Sequence, residues 1–527
     1  FSCYIKVALS LAELPNTDNL VFFVENQQLR LCFVDNFLKS NYIIKHIESR
    51  RSAILESIND NVEFIVKHSW FALSNICRML LVKHIYFYKK IDYLSKKDSS
   101  KEDLVLIHSW IDGRSFTENN EFQDVYFGKL NSYISKSVDN IVIVPYILHT
   151  VSYWKMLTKI SKCREHFLIH SAHLSMSNIL SVLLKTMKRP TKEKCLTFEN
   201  IDISHIIYLD RLNDWKNTRM SSNLLLYRVI ENLKLQSLSI DRFIFLHENH
   251  TWEKIYCLAF RDFYPNTLLL GYQHSTISKM YTAYSISQYE RELMPFPDIL
   301  ITNGKYSRDY LVKSGYEPTK LIRGGAIRYE YVLDMLKEPT NHRDLNDPDK
   351  KVTILVALSI DKNESCELLH KVLDTFGNHR MYDIILKFHP LMQYRVIMNE
   401  MNIQLFPEHF TVSNESISSL LNECDILLYM TTTICVEALA AGVYPIHIKS
   451  SYNIDCDILD GSPAGLHMSV KSKDELLTCI NNFTNLTPDE LQKIRNIGRN
   501  ITKDIFGAVD ENTYELFLKT PPYDFID

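Results

Sequence analysis

The chain has little glycine, no paired cysteine motif and no long apolar run free of charged residues. Only 13 of the 527 residues are glycine, and no Gly-rich phosphate loop ending in lysine is present. The 11 cysteines are scattered without a CxxC pair, which is typical of reduced cytosolic thiols and argues against a disulfide framework or a zinc site. HExxH and GxSxG are also missing, which argues against the commonest metalloprotease and serine-hydrolase signatures.

The charge balance excludes a global nucleic-acid footprint. Formal net charge is −4, with 46% hydrophobic and 23% charged residues, as in an ordinary globular protein. A length of 527 residues is enough for two to four domains. No secretory signal is visible, so we expect a cytoplasmic protein without a nucleic-acid partner.

The most apolar long stretch runs from Trp70 to Tyr88. Arg78, Lys83 and His84 interrupt it, which makes it a poor spanning helix. We interpret it as a core-facing amphipathic helix. The alternative is peripheral membrane contact through about residues 69–90, at the inner face of the cytoplasmic membrane.

Apolar runs alternate with helical patterns along most of the chain, which predicts an α/β fold with parallel sheets. Residues 1–100 are predicted to be mainly helical after strands at VFFVE and RLCFV, and to pack on the first domain. We predict an N-terminal Rossmann-like domain over 101–337, a linker at 338–351, a second such domain over 352–510, and a tail at 511–527. The predicted strands are LVLIHSW, NIVIVPY, HFLIH, DRFIFL, NTLLLGY, DILIT, LIRGG, VTILVAL, DIILKF, HFTV, DILLYM, VYPIHI and HMSV.

Polar side chains follow several of these strands directly, and ligands of open α/β sheets bind beyond the carboxyl ends of the strands. Thr431, Thr432 and Thr433 lie between DILLYM and the helix ICVEALAA, where free backbone N–H groups favour an anion. Simple N-capping by one threonine is the alternative. His389 and Pro390 follow DIILKF, where the imidazole can donate to a phosphate oxygen and Lys387 can add charge.

The first half supplies the candidate base. Glu248 follows DRFIFL and can take a proton from a hydroxyl if its pKa is raised. Asp112, after LVLIHSW, is the rival, and either acid could instead cap the next helix. Gln273, His274 and Ser275 follow NTLLLGY, where His274 orients a substrate group or satisfies buried backbone.

Two patterns are set aside. Asp455-Cys456-Asp457 matches the DxD pattern of metal-dependent sugar transferases, but we interpret it as a solvated turn. Gly324-Gly325 lacks the third glycine and the spacing of a dinucleotide fingerprint.

These segments carry a resemblance. HENHTWEK, GYQHS, PDILITNGKYSRDYL, GGAIRY, KFHP and CDILLYMTTTICVEALAAGVYPI resemble bacterial GT-B glycosyltransferases of surface-carbohydrate biosynthesis. The most similar group is the enzymes that use CMP-activated keto-sugar acids, the sialyl-, polysialyl- and Kdo-type (nonulosonate) transferases. The resemblance covers about residues 240–470, and it implies two Rossmann-like domains whose parallel sheets face an interdomain cleft.

The resemblance also implies roles. His389, Pro390 and Thr431 to Thr433 would contact the CMP phosphate and nucleotide, and Glu248, Asp112 or His274 would be catalytic. The chain departs from the usual acidic motif of two acids and a glycine, with His-Glu-Asn in its place. We assign the remaining donor-site positions to the same segments: Gln273, Ser275, Asn303, Gly325, Arg328, Lys387 and Glu437.

The sequence thus predicts transfer of a keto-sugar acid from a CMP-sugar to a hydroxyl of a glycan or lipid-linked glycan. No metal and no cofactor besides this co-substrate is expected. The alternatives are a CDP-polyol phosphotransferase, a UDP- or GDP-sugar GT-B transferase, and a non-catalytic sugar-nucleotide binding protein.

Overall fold

A computed structural model describes residues 53–88, 103–148, 151–193, 196–198, 201–337, 351–451, 456–460, 466 and 468–519. The chain separates into two compact units. The first comprises residues 1–100, 169–238 and 258–263, and the second comprises 101–168, 239–257 and 264–527. The predicted opening strands and the predicted linker, except for Lys351, lie outside the described residues.

The described strands are short, and nearly all belong to two sheets. They are β1 (Leu104–Ile111), β2 (Ile141–Ile147), β3 (Thr197–Phe198), β4 (Ile201–Asp202), β5 (Ile240–Leu246), β6 (Leu268–Gln273), β7 (Ile299–Thr302), β8 (Leu321–Arg323), β9 (Val352–Ala357), β10 (Tyr382–Lys387), β11 (Phe410–Val412), β12 (Ile426–Tyr429), β13 (Tyr444–Ile448) and β14 (Met468–Val470).

Helices alternate with these strands. They are α1 (Ala53–Tyr88), α2 (Leu130–Ile134), α3 (Tyr153–Ile160), α4 (Met176–Thr186), α5 (Ser204–Lys216), α6 (Arg219–Leu235), α7 (Thr251–Phe263), α8 (Gln288–Leu293), α9 (Lys305–Lys313), α10 (Glu330–Met335), α11 (Lys362–Phe376), α12 (Tyr394–Glu400), α13 (Ile417–Glu423), α14 (Ile434–Ala441), α15 (Lys473–Thr484), α16 (Pro488–Ile505) and α17 (Glu511–Glu515).

Both large sheets belong to the second unit and are parallel throughout. The first has the order β2-β1-β5-β6-β7-β8, and the second has the order β11-β10-β9-β12-β13-β14. In each sheet the chain adds its first strands toward one edge and its later strands toward the other edge. The change of side falls between β1 and β5 in the first sheet and between β9 and β12 in the second. Such switch points are where open α/β sheets bind ligands. Two parallel α/β sheets of this kind confirm the predicted GT-B architecture.

Most predicted strands are confirmed, because buried parallel strands are recognisable as short apolar runs. HFLIH is wrong as a strand. Phe167 forms a single parallel bridge with Ile143 of the edge strand β2. The chain then enters a 3₁₀ turn at His170–His173, which ends the extended conformation.

Two apolar cores cover the faces of the second sheet. Ile354, Val356 and Leu428 face α11 and α15, whereas Leu355 and Leu427 face α14 and α16. Helix α14 ends at Gly442, which adopts a left-handed conformation with φ 80°. This glycine stop confirms the helix end predicted from the sequence.

The end of the chain returns to the first sheet. Tyr514 and Phe517 are buried in the core formed by β1, β5 and β6. The guanidinium of Arg242 donates to the Phe517 carbonyl oxygen at 2.8 Å. Gly325 is required by the same return, because a Cβ there would lie 2.3 Å from the Ala508 carbonyl oxygen. Part of the predicted tail therefore contributes buried side chains to the core of the first Rossmann-like sheet.

In the first unit, α1 packs one face and exposes the other. Phe64 stacks on Trp215 of α5 at 4.1 Å between ring centroids, and Phe71 and Val82 are also buried. On other faces Val62 is 52% exposed and Trp70 is 70% exposed. The core-facing interpretation therefore holds for one face only. No helix in the described part of the chain has the length and apolarity needed to cross a bilayer.

Candidate active site

Several of the predicted polar groups lie near one another beyond the carboxyl ends of the two sheets. Asp112 and Glu248 follow β1 and β5, the strands that flank the switch point of the first sheet. Thr431 follows β12 at the switch point of the second sheet. Tyr329, at the base of α10, hydrogen-bonds Thr433, so the two edges are in contact.

Glu248 is held by histidines and a serine. Its Oε2 lies 3.1 Å from His250 Nε2, and its Oε1 lies 3.7 Å from His274 Nε2. Burial raises the pKa of Glu248, but the hydrogen bonds with His250 and Ser275 help to hold it below its ordinary value. The raised pKa expected for a base is therefore wrong for this structure, and Glu248 is ionised at neutral pH.

His274 is fully buried between aromatic edges. Trp110 and Tyr126 meet its ring edge-on, at 5.3 and 5.4 Å between centroids. Burial lowers the pKa of His274 to about 3, so the ring is neutral. Neither ring nitrogen has a hydrogen-bond partner among the described residues. Its Nε2 lies 3.7 Å from Glu248 Oε1, beyond hydrogen-bond distance, so the ring packs beside that carboxylate without binding it.

Asp112, the rival base, is already fully engaged. Its carboxylate accepts from the backbone N–H of Arg114 at 2.8 Å and from the guanidinium Nη2 at 2.6 Å. The same hydrogen bonds raise the pKa of Arg114. Both oxygens of Asp112 are therefore occupied in a forked ion pair. The pair instead places a guanidinium at the end of β1.

Three predicted donor-site residues form an internal network instead of pointing into open space. Gln273 and Asn303 are fully buried, and both donate to the Ser275 carbonyl oxygen. Asn303 also accepts from the Ser307 hydroxyl at 2.7 Å. These contacts fix the loop after β6, which carries His274 and the Ser275 hydroxyl toward Glu248.

Arg328 lies at the centre of the crevice without an ion pair. Its guanidinium lies over the rings of Tyr126 and Tyr329, at 4.9 and 5.4 Å from their centroids. Among the described residues it makes no salt bridge within 4 Å, although its charge contributes to lowering the pKa of His274 and the pKa of His389. An unpaired guanidinium facing polar groups of both sheets is suited to an anionic ligand.

His389 brings a donor from the second sheet. Its Nδ1 accepts from the Leu391 backbone N–H at 3.1 Å, which places the proton of the neutral ring on Nε2. Burial lowers the pKa of His389, and the charges of Arg114 and Arg328 lower it further. Pro390 is exposed in the turn, and Lys387 donates to the Glu415 carbonyl oxygen. His389 therefore donates as a neutral imidazole.

One threonine of the loop binds the start of α14. The Thr432 hydroxyl accepts from the Ile434 backbone N–H at 3.4 Å, whereas Thr433 makes no side-chain capping bond, so the capping alternative holds for Thr432. Thr431 lies against Glu364, whose pKa burial raises in spite of hydrogen bonds from Thr431 and Ser359. The start of α14 lies close to Arg328, because Thr433 hydrogen-bonds Tyr329, whose ring packs against the Arg328 guanidinium.

Glu437 is a buried carboxyl group on α14. Burial raises its pKa to about 7, against a hydrogen bond with Tyr331 and the charge of Arg328. Its Oε2 has no partner among the described residues. A buried carboxyl group with a raised pKa and an oxygen without a partner is a candidate acceptor for a ligand hydroxyl.

The elevated pKa of Glu437 predicts a pH-dependent stability. The group titrates near 7 in the folded chain against an ordinary 4.5, so its stabilising effect is complete below 4.5 and is lost as pH rises through 7. The neutral variant Glu437→Gln should therefore be more stable than the parent at pH 8, by up to about 3 kcal/mol. The two should have equal stability at pH 4.5 or below. Urea unfolding at pH 4.5 and pH 8 measures this difference.

Glu490→Gln is the matched control for that measurement. Hydrogen bonds to Thr487 lower the pKa of Glu490, so its replacement should destabilise at pH 8 or have no effect. A stabilisation of Glu437→Gln that is the same at both pH values would contradict the assignment.

The second aspartate of the DxD-like segment is not exposed to solvent. Asp457 is buried and accepts from the Tyr429 hydroxyl at 2.8 Å, while Asp455 lies outside the described residues. The interpretation as a solvated turn is therefore wrong for Asp457, which anchors its loop to β12. In the described ranges no group of three or more His, Cys, Asp or Glu side chains is placed to hold a metal ion.

A cavity of about 720 Å³ lies away from the crevice, between α11 and α15. Two of its charged lining groups, Glu367 and Lys371, form an ion pair at 2.9 Å. No switch point opens into it, so we place the candidate site at the crevice.

Sequence reasoning missed three groups of the site. His250 contacts Glu248, Arg114 pairs with Asp112, and Tyr126 supports Arg328. His250 and Arg114 lie two residues from predicted site residues, so their proximity along the chain was an available signal. Nothing in the sequence marks Tyr126.

Comparison with known proteins gives structural similarity only. No protein-family model matches the sequence, and no curated protein is significantly similar to it. A UDP-GlcNAc 2-epimerase from Methanocaldococcus jannaschii, solved with UDP-GlcNAc and UDP, is 11% identical, with 79% of this chain and 98% of that chain covered and a TM-score of 0.44.

Two further solved structures are similar to the same degree. A putative UDP-N-acetylglucosamine 2-epimerase from Listeria monocytogenes is 12% identical over 81% of this chain and 100% of its own, with a TM-score of 0.44. A glycosyltransferase from Rickettsia africae is 14% identical over 80% and 99%, with a TM-score of 0.42. At this distance the likeness gives no information on substrate. The class that the topology defines is a protein of GT-B fold.

Proposed function

We propose that the chain is a glycosyltransferase that moves a sugar from a nucleotide donor to a hydroxyl acceptor. One observation carries this proposal: the guanidinium of Arg328, which makes no salt bridge among the described residues, and the carboxylate of Glu248 both act on the buried ring of His274. A cation binds the donor phosphate, and the carboxylate Glu248 accepts the proton of the acceptor.

The reaction needs one proton transfer and one bond exchange. Glu248 takes the proton of the acceptor hydroxyl, whose oxygen forms a bond to the anomeric carbon. The bond from that carbon to the donor phosphate oxygen breaks, and the electron pair leaves with the nucleotide. Arg328, the Nε2–H of His389 and the start of α14 stabilise the charge that develops on this phosphate.

The donor class that we propose is a CMP-activated keto-sugar acid, as the motif resemblance implies. Such a donor carries two separate negative groups, a phosphate and a carboxylate. The crevice contains two guanidinium groups. That of Arg328 makes no salt bridge among the described residues, and that of Arg114 pairs with Asp112. Two guanidinium groups suit a donor that carries two anionic groups. Glu437 would accept a ribose hydroxyl through its unpartnered oxygen. The acceptor is a glycan or a lipid-linked glycan.

Nucleotide binding tests the donor class. We expect CMP to raise the melting temperature, since a ligand at 100 times its dissociation constant stabilises by about 2.7 kcal/mol. Thermal scans with CMP, CDP, UMP, UDP and GDP at equal concentration compare the candidates. A clear preference for UDP or GDP with CMP inert would replace the CMP donor by the UDP- or GDP-sugar alternative. No shift with any nucleotide would remove the proposal.

A further inference from the structure

The loop that carries Glu248 is held by a second, fully buried acid. Glu253 lies in the first turn of α7 and is 1% exposed. One carboxylate oxygen accepts from the Glu248 backbone N–H at 2.9 Å, and the other accepts from the Asn249 N–H at 2.9 Å. An acid that reaches back to the loop before its helix fixes the entry of the chain.

Other contacts hold the same loop from its remaining sides. His247 Nδ1 lies 2.8 Å from the second oxygen of Glu253, in a pair that is almost fully buried. The Tyr284 hydroxyl donates to the His247 carbonyl oxygen at 3.1 Å. Asn249 has φ 61°, in the left-handed region, and its side chain donates to the Ala283 carbonyl oxygen at 2.7 Å. A non-glycine residue keeps this conformation only where its surroundings impose it.

We propose that Glu253 is a positioning residue that fixes the Glu248 carboxylate in its reactive geometry. The inference rests on the proposed function, because it takes Glu248 as the base. Glu253 does not reach the crevice itself, since both of its oxygens are used by the loop backbone. Its effect must therefore pass through Glu248. A base displaced by about 1 Å loses roughly 10²-fold in rate.

A double-mutant cycle on kcat tests this coupling. The variants are Glu253→Gln, which keeps the volume but leaves one oxygen to accept, Glu248→Gln, and the two combined. We expect Glu253→Gln alone to lower kcat roughly 10²-fold with donor KM little changed. In the Glu248→Gln background it should have no further effect, since the group it positions is already gone.

The pH profile supplies a second readout. Hydrogen bonds with His250 and Ser275 lower the pKa of Glu248, and both depend on where the loop holds it. In Glu253→Gln the acid limb of the kcat/KM profile should therefore move to higher pH. Glu475→Gln is the matched control: Glu475 also reaches back four residues, to the Lys471 N–H at 2.7 Å, but at the exposed start of α15. Its profile and kcat should match the parent.

Backbone amide exchange in the unmodified protein gives a test that needs no variant. The Glu248 and Asn249 amides should exchange slowly, because a buried carboxylate holds both. Fast exchange at these amides would overturn the proposal, and so would an equal loss from Glu253→Gln in both backgrounds. A dead Glu248→Gln beside a fully active Glu253→Gln would remove the positioning role and leave the proposed function intact. A fully active Glu248→Gln would remove the base assignment and the positioning role together.

Discussion

Glu248→Gln should lower turnover by roughly 10²–10⁴-fold while leaving nucleotide binding near normal. Glutamine keeps the shape of the side chain and removes the proton acceptor. The structure supports this expectation through the lowered pKa of Glu248, which keeps its carboxylate ionised at neutral pH. Turnover at saturating donor and acceptor, together with a thermal shift by CMP, measures the two effects separately.

Asp112→Asn is the control at the other side of the switch point. It breaks the forked pair with Arg114 but removes no free acceptor, since the Asp112 oxygens are already occupied. We expect Asp112→Asn to lose less activity than Glu248→Gln. The loss should take the form of a higher KM for the donor, because Asp112 would no longer hold the Arg114 guanidinium in place. A dead Asp112→Asn beside an active Glu248→Gln would reverse the base assignment and leave the rest of the proposed function standing.

The elements of the fold were predictable because a buried parallel strand is a short apolar run bounded by polar residues. DILLYM and ICVEALAA illustrate this, since β12 and α14 fall within them and Gly442 ends the helix. HFLIH is also largely apolar, but it pairs with β2 through only one bridge. Apolarity shows that a segment is buried, and pairing with a neighbour decides whether it becomes a strand. The sheet orders, and hence the switch points, depend on such pairing and were not predictable.

The location of the candidate site was predictable for the same reason, and its electrostatics were not. Polar residues at strand ends must lie at the carboxyl edge of a parallel sheet. The direction of the Glu248 pKa, by contrast, depends on His250 and Ser275, which approach from two loops. Gln273 and Asn303 also occupy strand ends, yet they bind backbone. Position along the chain does not distinguish a side chain that faces a ligand from one that supports the loop.

Arg328→Gln should lower kcat/KM for the donor by roughly 10²–10³-fold, as for loss of one preorganised electrostatic group. The side chain is packed against Tyr126 and Tyr329 and makes no ion pair among the described residues, so its removal breaks no salt bridge of the fold. Arg328→Lys keeps the charge but loses the forked geometry, so it should recover only part of the rate. Steady-state kinetics with varied donor would give these values.

A second measurement follows from the charge of Arg328 at His389. That charge is one of the causes that lower the pKa of His389, after burial and Arg114. The NMR titration of His389 should therefore move to higher pH in Arg328→Gln. It should remain unchanged in Arg323→Gln, which alters an exposed arginine on β8. If the titration moves but the kinetics do not, Arg328 faces the crevice without binding the donor. If neither changes, the two sheets do not bring these residues together in solution, and the leaving phosphate must be stabilised by His389 and the start of α14 alone.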